Sequence, residues 1–245
     1  MNSKDNSKAT KKKKKKKKEY NFLYHFVIIT GAIPILIWLR PKKIWAGKKT
    51  SFKGGFVASA NHCAFTDPIF AQCIFWRRTV YFLATETLFD TKLKDFFFKR
   101  IHCIKVDKAN FSVDSFHEVV KYLKRDKVVS IFPEGRLNLD NDEILTFKSG
   151  IVLMAYTANK PIIPMYFVPP KAWYCSRTVV MGEPIDVREF CGARPRAEDF
   201  ERVSEILRDK EKELQNFYYE NYSKKNMKKF EDDVKTESEK EKVEQ

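Results

Sequence analysis

Short apolar runs alternate along the chain with stretches that are apolar only at every third or fourth position. Phe56-Val57-Ala58-Ser59-Ala60, following a Gly54-Gly55 turn, reads as a strand buried on both faces. Similar runs predict strands at Thr79–Ala84, Cys103–Val106, Val128–Phe132, Pro161–Val168 and Thr178–Met181. Between them, Asp114–Arg125 carries Phe116, Val119, Val120 and Leu123 at helical spacing. Ile69–Trp76, Lys92–Lys99 and Phe147–Asn159 are expected to be helical. The first of these follows Asp67-Pro68, an N-cap with proline at the first helical position. A C-terminal amphipathic helix of about five turns is predicted from apolar residues between Phe200 and Phe217. Buried strands alternating with helices predict an α/β fold, a mostly parallel central sheet flanked by helices.

One run breaks this rhythm. Phe22 to Leu39 is eighteen residues without a formal charge, near the lower limit for a membrane span. Lys11–Lys18 precede it, and Arg40, Lys42 and Lys43 follow with no small-residue cleavage site. Basic flanks on both sides favour the cytoplasmic side for both ends. Gly31 and Pro34 in the middle permit a bend. The segment is therefore expected to be a re-entrant or interfacial helical anchor, with a single N-terminal span as the alternative. The chain divides into a poly-Lys leader (1–20), an anchor (21–45), a folded α/β domain (46–222) and a charged tail (223–245). The expected location is the cytoplasmic face of the cell membrane.

Charge sharpens the picture. The 245 residues carry a net charge of +15. The leader holds ten Lys against Asp5 and Glu19, or +8, and the tail is neutral, so the centre keeps +7. Such an excess calls for a polyanionic partner, nucleic acid or an anionic membrane. The leader abuts an apolar anchor and the centre lacks a nucleic-acid-binding motif, so anionic membrane lipids are expected and nucleic acid is not. A hydrophobic content of 43% with 21 Phe excludes a disordered chain. Five scattered cysteines form no CxxC and no zinc spacing, which fits reduced thiols and no metal.

Candidate chemistry begins at Asn61-His62-Cys63-Ala64-Phe65-Thr66-Asp67, a loop after a buried strand. Asp67 can turn back to His62, fix its tautomer and balance an imidazolium charge while the other ring nitrogen takes a proton from an alcohol. On spacing alone Asp67 reads equally well as a plain helix cap, with His62 a satisfied loop histidine. A second motif, Phe132-Pro133-Glu134-Gly135-Arg136, ends another strand, where ligand sites of open α/β sheets collect. Glycine permits an unusual turn there, and the guanidinium of Arg136 offers a fork for phosphate.

In this order the motifs resemble the glycerolipid acyltransferase family that includes lysophosphatidic acid acyltransferase. That family is marked by NHxxxxD, a Gly-x-x-Phe/Ile-x-x-Arg block, FPEGxR and a short apolar proline block. The counterparts here are Asn61–Asp67, His102–Lys108, Phe132–Arg136 and Ile162–Met165, within roughly residues 45–185. His102 stands where the family usually has glycine, and Lys108 where it usually has arginine; in the third block Arg136 follows glycine directly and Asn138 replaces the usual hydroxyl residue. The resemblance implies acyl transfer, without an acyl-enzyme, to the sn-2 hydroxyl of 1-acylglycerol 3-phosphate, a lysophospholipid acceptor, giving phosphatidic acid. The donor would be a thioester of acyl-carrier protein or coenzyme A, with no bound cofactor. His62 is then the base and Asp67 its orienting partner. Arg136, Lys108 and Lys105 are the candidates for the acceptor phosphate, with Asn61, Glu134 and Gly135 supporting the loops. Another lysophospholipid or a glycerol phosphate as acceptor, or a non-catalytic basic binding protein, are the alternatives.

Overall fold

A computed structural model describes residues 41–106, 113–139, 143–170 and 176–223. The lysine leader, the apolar run 22–39, Lys108 and the tail beyond Ser223 lie outside the described residues. Among the described residues seven strands form one sheet: β1 Lys42–Trp45, β2 Phe56–Ala60, β3 Val80–Thr85, β4 Cys103–Val106, β5 Val128–Ile131, β6 Ile162–Phe167 and β7 Thr178–Met181. Their spatial order is β1-β7-β6-β2-β5-β3-β4. Every neighbouring pair is parallel except β6 with β7, so β1 and β7 run against the other five. The helices are α1 Asp67–Ile74, α2 Lys92–Arg100, α3 Val113–Lys124, α4 Gly150–Ala158, α5 Val187–Cys191 and α6 Ala197–Tyr218. The expected mixed fold with a mostly parallel sheet is the one observed.

A central strand covered on both faces must be apolar at nearly every position, and all five residues of β2 are buried. Its side chains alternate between two cores. Phe56, Ala58 and Ala60 meet Phe70, Ala71 and Ile74 of α1. Val57 points to the other face, among Leu123 of α3, Ile151 and Val152 of α4 and Leu207 of α6. Burying a side chain such as Phe56 or Phe70 stabilises the fold by about 1.5–3 kcal/mol.

Connection handedness explains the two layers. β2–α1–β3 and β3–α2–β4 step the same way across the sheet, while β4–α3–β5 and β5–α4–β6 step back. Right-handed crossovers therefore place α1 and α2 on one face and α3 and α4 on the other. The five co-directional strands release their carboxyl-end loops at one edge. β2 and β5 are direct neighbours, so the loops after them meet there.

Several boundaries differ from the sequence expectation. Lys42–Trp45, assigned to the anchor, is an edge strand paired with β7, and Ile44 is buried against the sheet. Four residues with one buried position carry too little pattern to separate a strand from an anchor's flank. The N-cap of α1 is Thr66, so Asp67 is already helical and its carboxylate is released from capping duty. α4 starts at Gly150 rather than Phe147. The five-residue α5 had no expected counterpart, because a single turn shows no periodicity.

Candidate active site

The loop after β2 folds back on the first turn of α1. Asp67 Oδ2 lies 2.8 Å from His62 Nδ1 and also accepts the backbone N–H groups of Cys63 and Ala64, each at 2.8 Å. Its other oxygen, Oδ1, accepts from Arg177 Nη2 at 2.8 Å. A fully buried carboxylate is costly unless hydrogen-bonded and paired, and here two backbone donors, an imidazole and a guanidinium surround it. With Nδ1 held by a carboxylate, a neutral His62 carries its proton there and presents Nε2 as acceptor on the opposite ring edge. The His62 side chain is 22% exposed, so that edge is open to a reactant.

The loop after β5 fixes the rest of His62. Its ring stacks on Phe132, centroids 4.3 Å apart with planes at 16°. Its N–H donates to Glu134 Oε1 at 3.1 Å, and its carbonyl accepts the N–H of Asn138 at 2.8 Å. Glu134 is buried, and desolvation pushes its carboxyl above the ordinary range against the pull of the His62 and Leu145 N–H groups. Asn61 ties the end of β2 to β6 through both polar backbone groups of Phe167, at 3.1 and 2.7 Å. Gly135 has φ +66°, and a Cβ there would come within 2.9 Å of Lys148 Cε. The glycine thus provides both the turn and the space for that side chain. Arg136 and Lys148 are exposed beside it.

The other predicted residues fall further away. Lys105 lies on edge strand β4, two strands beyond β5, and its ammonium faces Glu86 at 3.8 Å. His102, at the family's glycine position, has φ +68°, the left-handed region that glycine enters without cost. Its ring meets Tyr81 edge-on at 4.7 Å. Cys63 sits beside the pair, but burial, followed by the charge of Asp67, pushes its thiol up to about 12. A thiol so protonated is a poor nucleophile at neutral pH.

Arg177 was not foreseen. It precedes β7 in a segment without a motif, 110 residues from Asp67. Its guanidinium is buried, lies 4.4 Å from the centroid of Phe70 and reaches Thr66 Oγ1 at 3.3 Å. The available signal was a lone basic residue at the start of a strand that is otherwise buried.

Among the described residues no group of three or more His, Cys, Asp or Glu side chains could hold a metal ion, and no helix is long and apolar enough to cross a membrane. The arrangement is a buried carboxylate, an oriented imidazole and an open nitrogen at the mouth of two loops. It is suited to taking a proton from a hydroxyl.

A family model described as Acyltransferase matches residues 42–168. The 1-acyl-sn-glycerol-3-phosphate acyltransferase of Bacillus subtilis is 26% identical over 191 residues, covering 76% of this chain and 94% of that protein. The protein of that name from Limnanthes douglasii is 27% identical over 164 residues, covering 65% and 57%. The crystal structure of the 1-acyl-sn-glycerophosphate (LPA) acyltransferase from Thermotoga maritima has the same fold, with a TM-score of 0.55 at 18% identity and coverage of 82% and 83%.

Proposed function

The chain belongs to the acyltransferase family, and on that premise we propose that it acylates the sn-2 hydroxyl of 1-acylglycerol 3-phosphate to form phosphatidic acid. The donor is a fatty acyl thioester of acyl-carrier protein or coenzyme A. The names of the Bacillus subtilis and Limnanthes douglasii relatives support this acceptor. The observation that carries the chemistry is the 2.8 Å contact between His62 Nδ1 and a buried Asp67, with the opposite ring edge exposed.

In this reading the acceptor hydroxyl donates its proton to His62 Nε2 as its oxygen attacks the thioester carbonyl. Asp67 balances the imidazolium charge. The tetrahedral intermediate then collapses, the C–S bond breaks, and the imidazolium returns the proton to the departing thiolate. The products are an ester and a free thiol. A placed general base contributes about 10²- to 10⁴-fold in rate. Cys63, protonated and enclosed, takes no part as a nucleophile, in keeping with direct transfer.

Asn61 and Glu134 hold the base in position, and Gly135 shapes the turn that presents Arg136. Arg136 is the leading group for the acceptor phosphate, with Lys108 and, less directly, Lys105 as further cations. The enzyme works at the cytoplasmic face of the membrane, held there by segment 22–39, where a lipid acceptor and a soluble donor can meet. No bound cofactor takes part.

The test is a panel of acceptors with both donors, using the full chain. Phosphatidic acid formed from lysophosphatidate faster than any product from glycerol 3-phosphate or other lysophospholipids supports the reading. Preference for another acceptor overturns it.

A further inference from the structure

We propose that the face of the domain carrying α1 and α2 rests on an anionic lipid surface, with α2 lying as an interfacial helix. The proposal extends the lipid-acylating reading of the site and rests on it for its biological sense.

None of the nine residues of α2 is buried. Leu93 is 78%, Phe96 51% and Phe97 41% exposed. Positions i, i+3 and i+4 form one stripe on a helix, so these three side chains stand together. The inward hold on α2 includes Phe98 against Phe89, 5.6 Å between centroids. Around the stripe the helix carries Lys92, Lys94, Lys99 and Arg100 against Asp95, a net charge of +3. Arg100 lies over the Phe96 ring at 4.8 Å, at the boundary of the apolar stripe. The ion pairs Lys94–Asp90 and Lys99–Asp95 are solvent-exposed. Pairs of that kind contribute little, so these ammonium groups can turn to lipid phosphates at small cost.

Position in the fold gives the stripe a purpose. α2 follows the carboxyl end of β3 through the 3₁₀ turn Glu86–Phe89, and so starts at the same sheet edge as the His62 loop. α1, on the same face, begins directly after that loop, where Phe65 is 81% exposed. The mouth of the site and the start of the apolar stripe therefore lie at one sheet edge, on one face of the domain. A short amphipathic helix with aromatic and basic flanks is the pattern of an interfacial segment. A second copy of the chain would bring like charge against like charge.

The test replaces Phe97 with the photo-crosslinking analogue p-benzoylphenylalanine in the full chain and irradiates it on phosphatidylglycerol vesicles. The same analogue at Phe190, on α5 over the opposite core, is the control. Lipid adducts at position 97 should exceed those at 190, and those on phosphatidylcholine vesicles, by about fivefold or more. Equal yields at the two positions, equal yields on the two lipids, adducts only within the chain or between copies, or none at all, overturn the proposal. Leu93→Glu/Phe97→Glu gives a second measurement. It should lower turnover of a long-chain acceptor in vesicles about tenfold and leave a short-chain, monomeric acceptor nearly unchanged. Equal losses on both acceptors would contradict it. The adducts are read without any acyl transfer. Lipid adducts in a protein that acylates nothing would therefore leave the surface standing and remove the proposed reaction.

Discussion

Arg177 and Asp67 form a 2.8 Å ion pair with both side chains enclosed, on the oxygen of Asp67 that His62 does not use. The carboxylate is thus gripped from two sides, the guanidinium behind and the imidazole in front. Removing one partner of a buried pair leaves an uncompensated charge and costs about 3–5 kcal/mol. Arg177→Met should lower the melting temperature substantially. Arg177→Lys keeps a charge but loses the planar fork. It should fold, with kcat reduced about tenfold or more and acceptor KM little changed. Thermal unfolding with steady-state kinetics checks this. A lysine variant with wild-type kcat would mean that Arg177 serves folding alone.

The loop after β5 leaves Arg136 exposed at the sheet edge where the His62 loop also emerges. Arg136→Ala should raise the acceptor KM about tenfold and leave kcat within about twofold, the signature of lost uniform binding. Preference for a phosphorylated acceptor over the corresponding monoacylglycerol should shrink with it. An unchanged KM would assign Arg136 to the turn.

Below β2, on the face opposite α1, Glu211 of α6 is fully buried and accepts from Ser59 Oγ at 2.6 Å. Burial raises its carboxyl well above 4.5, and the nearby Glu134 pushes in the same direction. A raised native value means that the folded protein keeps a proton the unfolded chain releases. Stability is thus fullest below about pH 4.5 and declines as pH rises toward the native value, by up to about 1.4 kcal/mol per pH unit. Gln in place of Glu has no proton to release. The stability of Glu211→Gln relative to wild type, measured by urea unfolding between pH 5 and 8, should increase with pH. Parallel curves would show that Glu211 does not titrate with folding.

Much of this molecule was legible before its fold was known, where local pattern and global fold agree. The buried strands announce themselves by unbroken apolar runs, and α3 by its stripe. The His62–Asp67 and Pro-Glu-Gly loops carry side chains whose chemistry has few other uses at strand ends. What stayed hidden depends on long-range pairing. β1 exists because β7 accepts it, and Arg177 acquires its role only when β7 is laid beside the α1 loop. Glu211 looks like any charged residue of an amphipathic helix until α6 packs on Ser59. Lys105, a lesser candidate for the acceptor phosphate, sits on edge strand β4, where its ammonium faces Glu86. His102 itself takes the left-handed backbone, φ +68°, that glycine adopts most readily.

The most direct test of the account is the rate of phosphatidic acid formation from lysophosphatidate by the purified full chain and by His62→Ala, at saturating acyl thioester. Loss of the base should reduce kcat by about 10² to 10⁴, with the variant still folded and still bound to vesicles. Retention of more than about a tenth of the wild-type rate would contradict general-base catalysis by His62, since a contribution below tenfold lies outside what a placed base supplies.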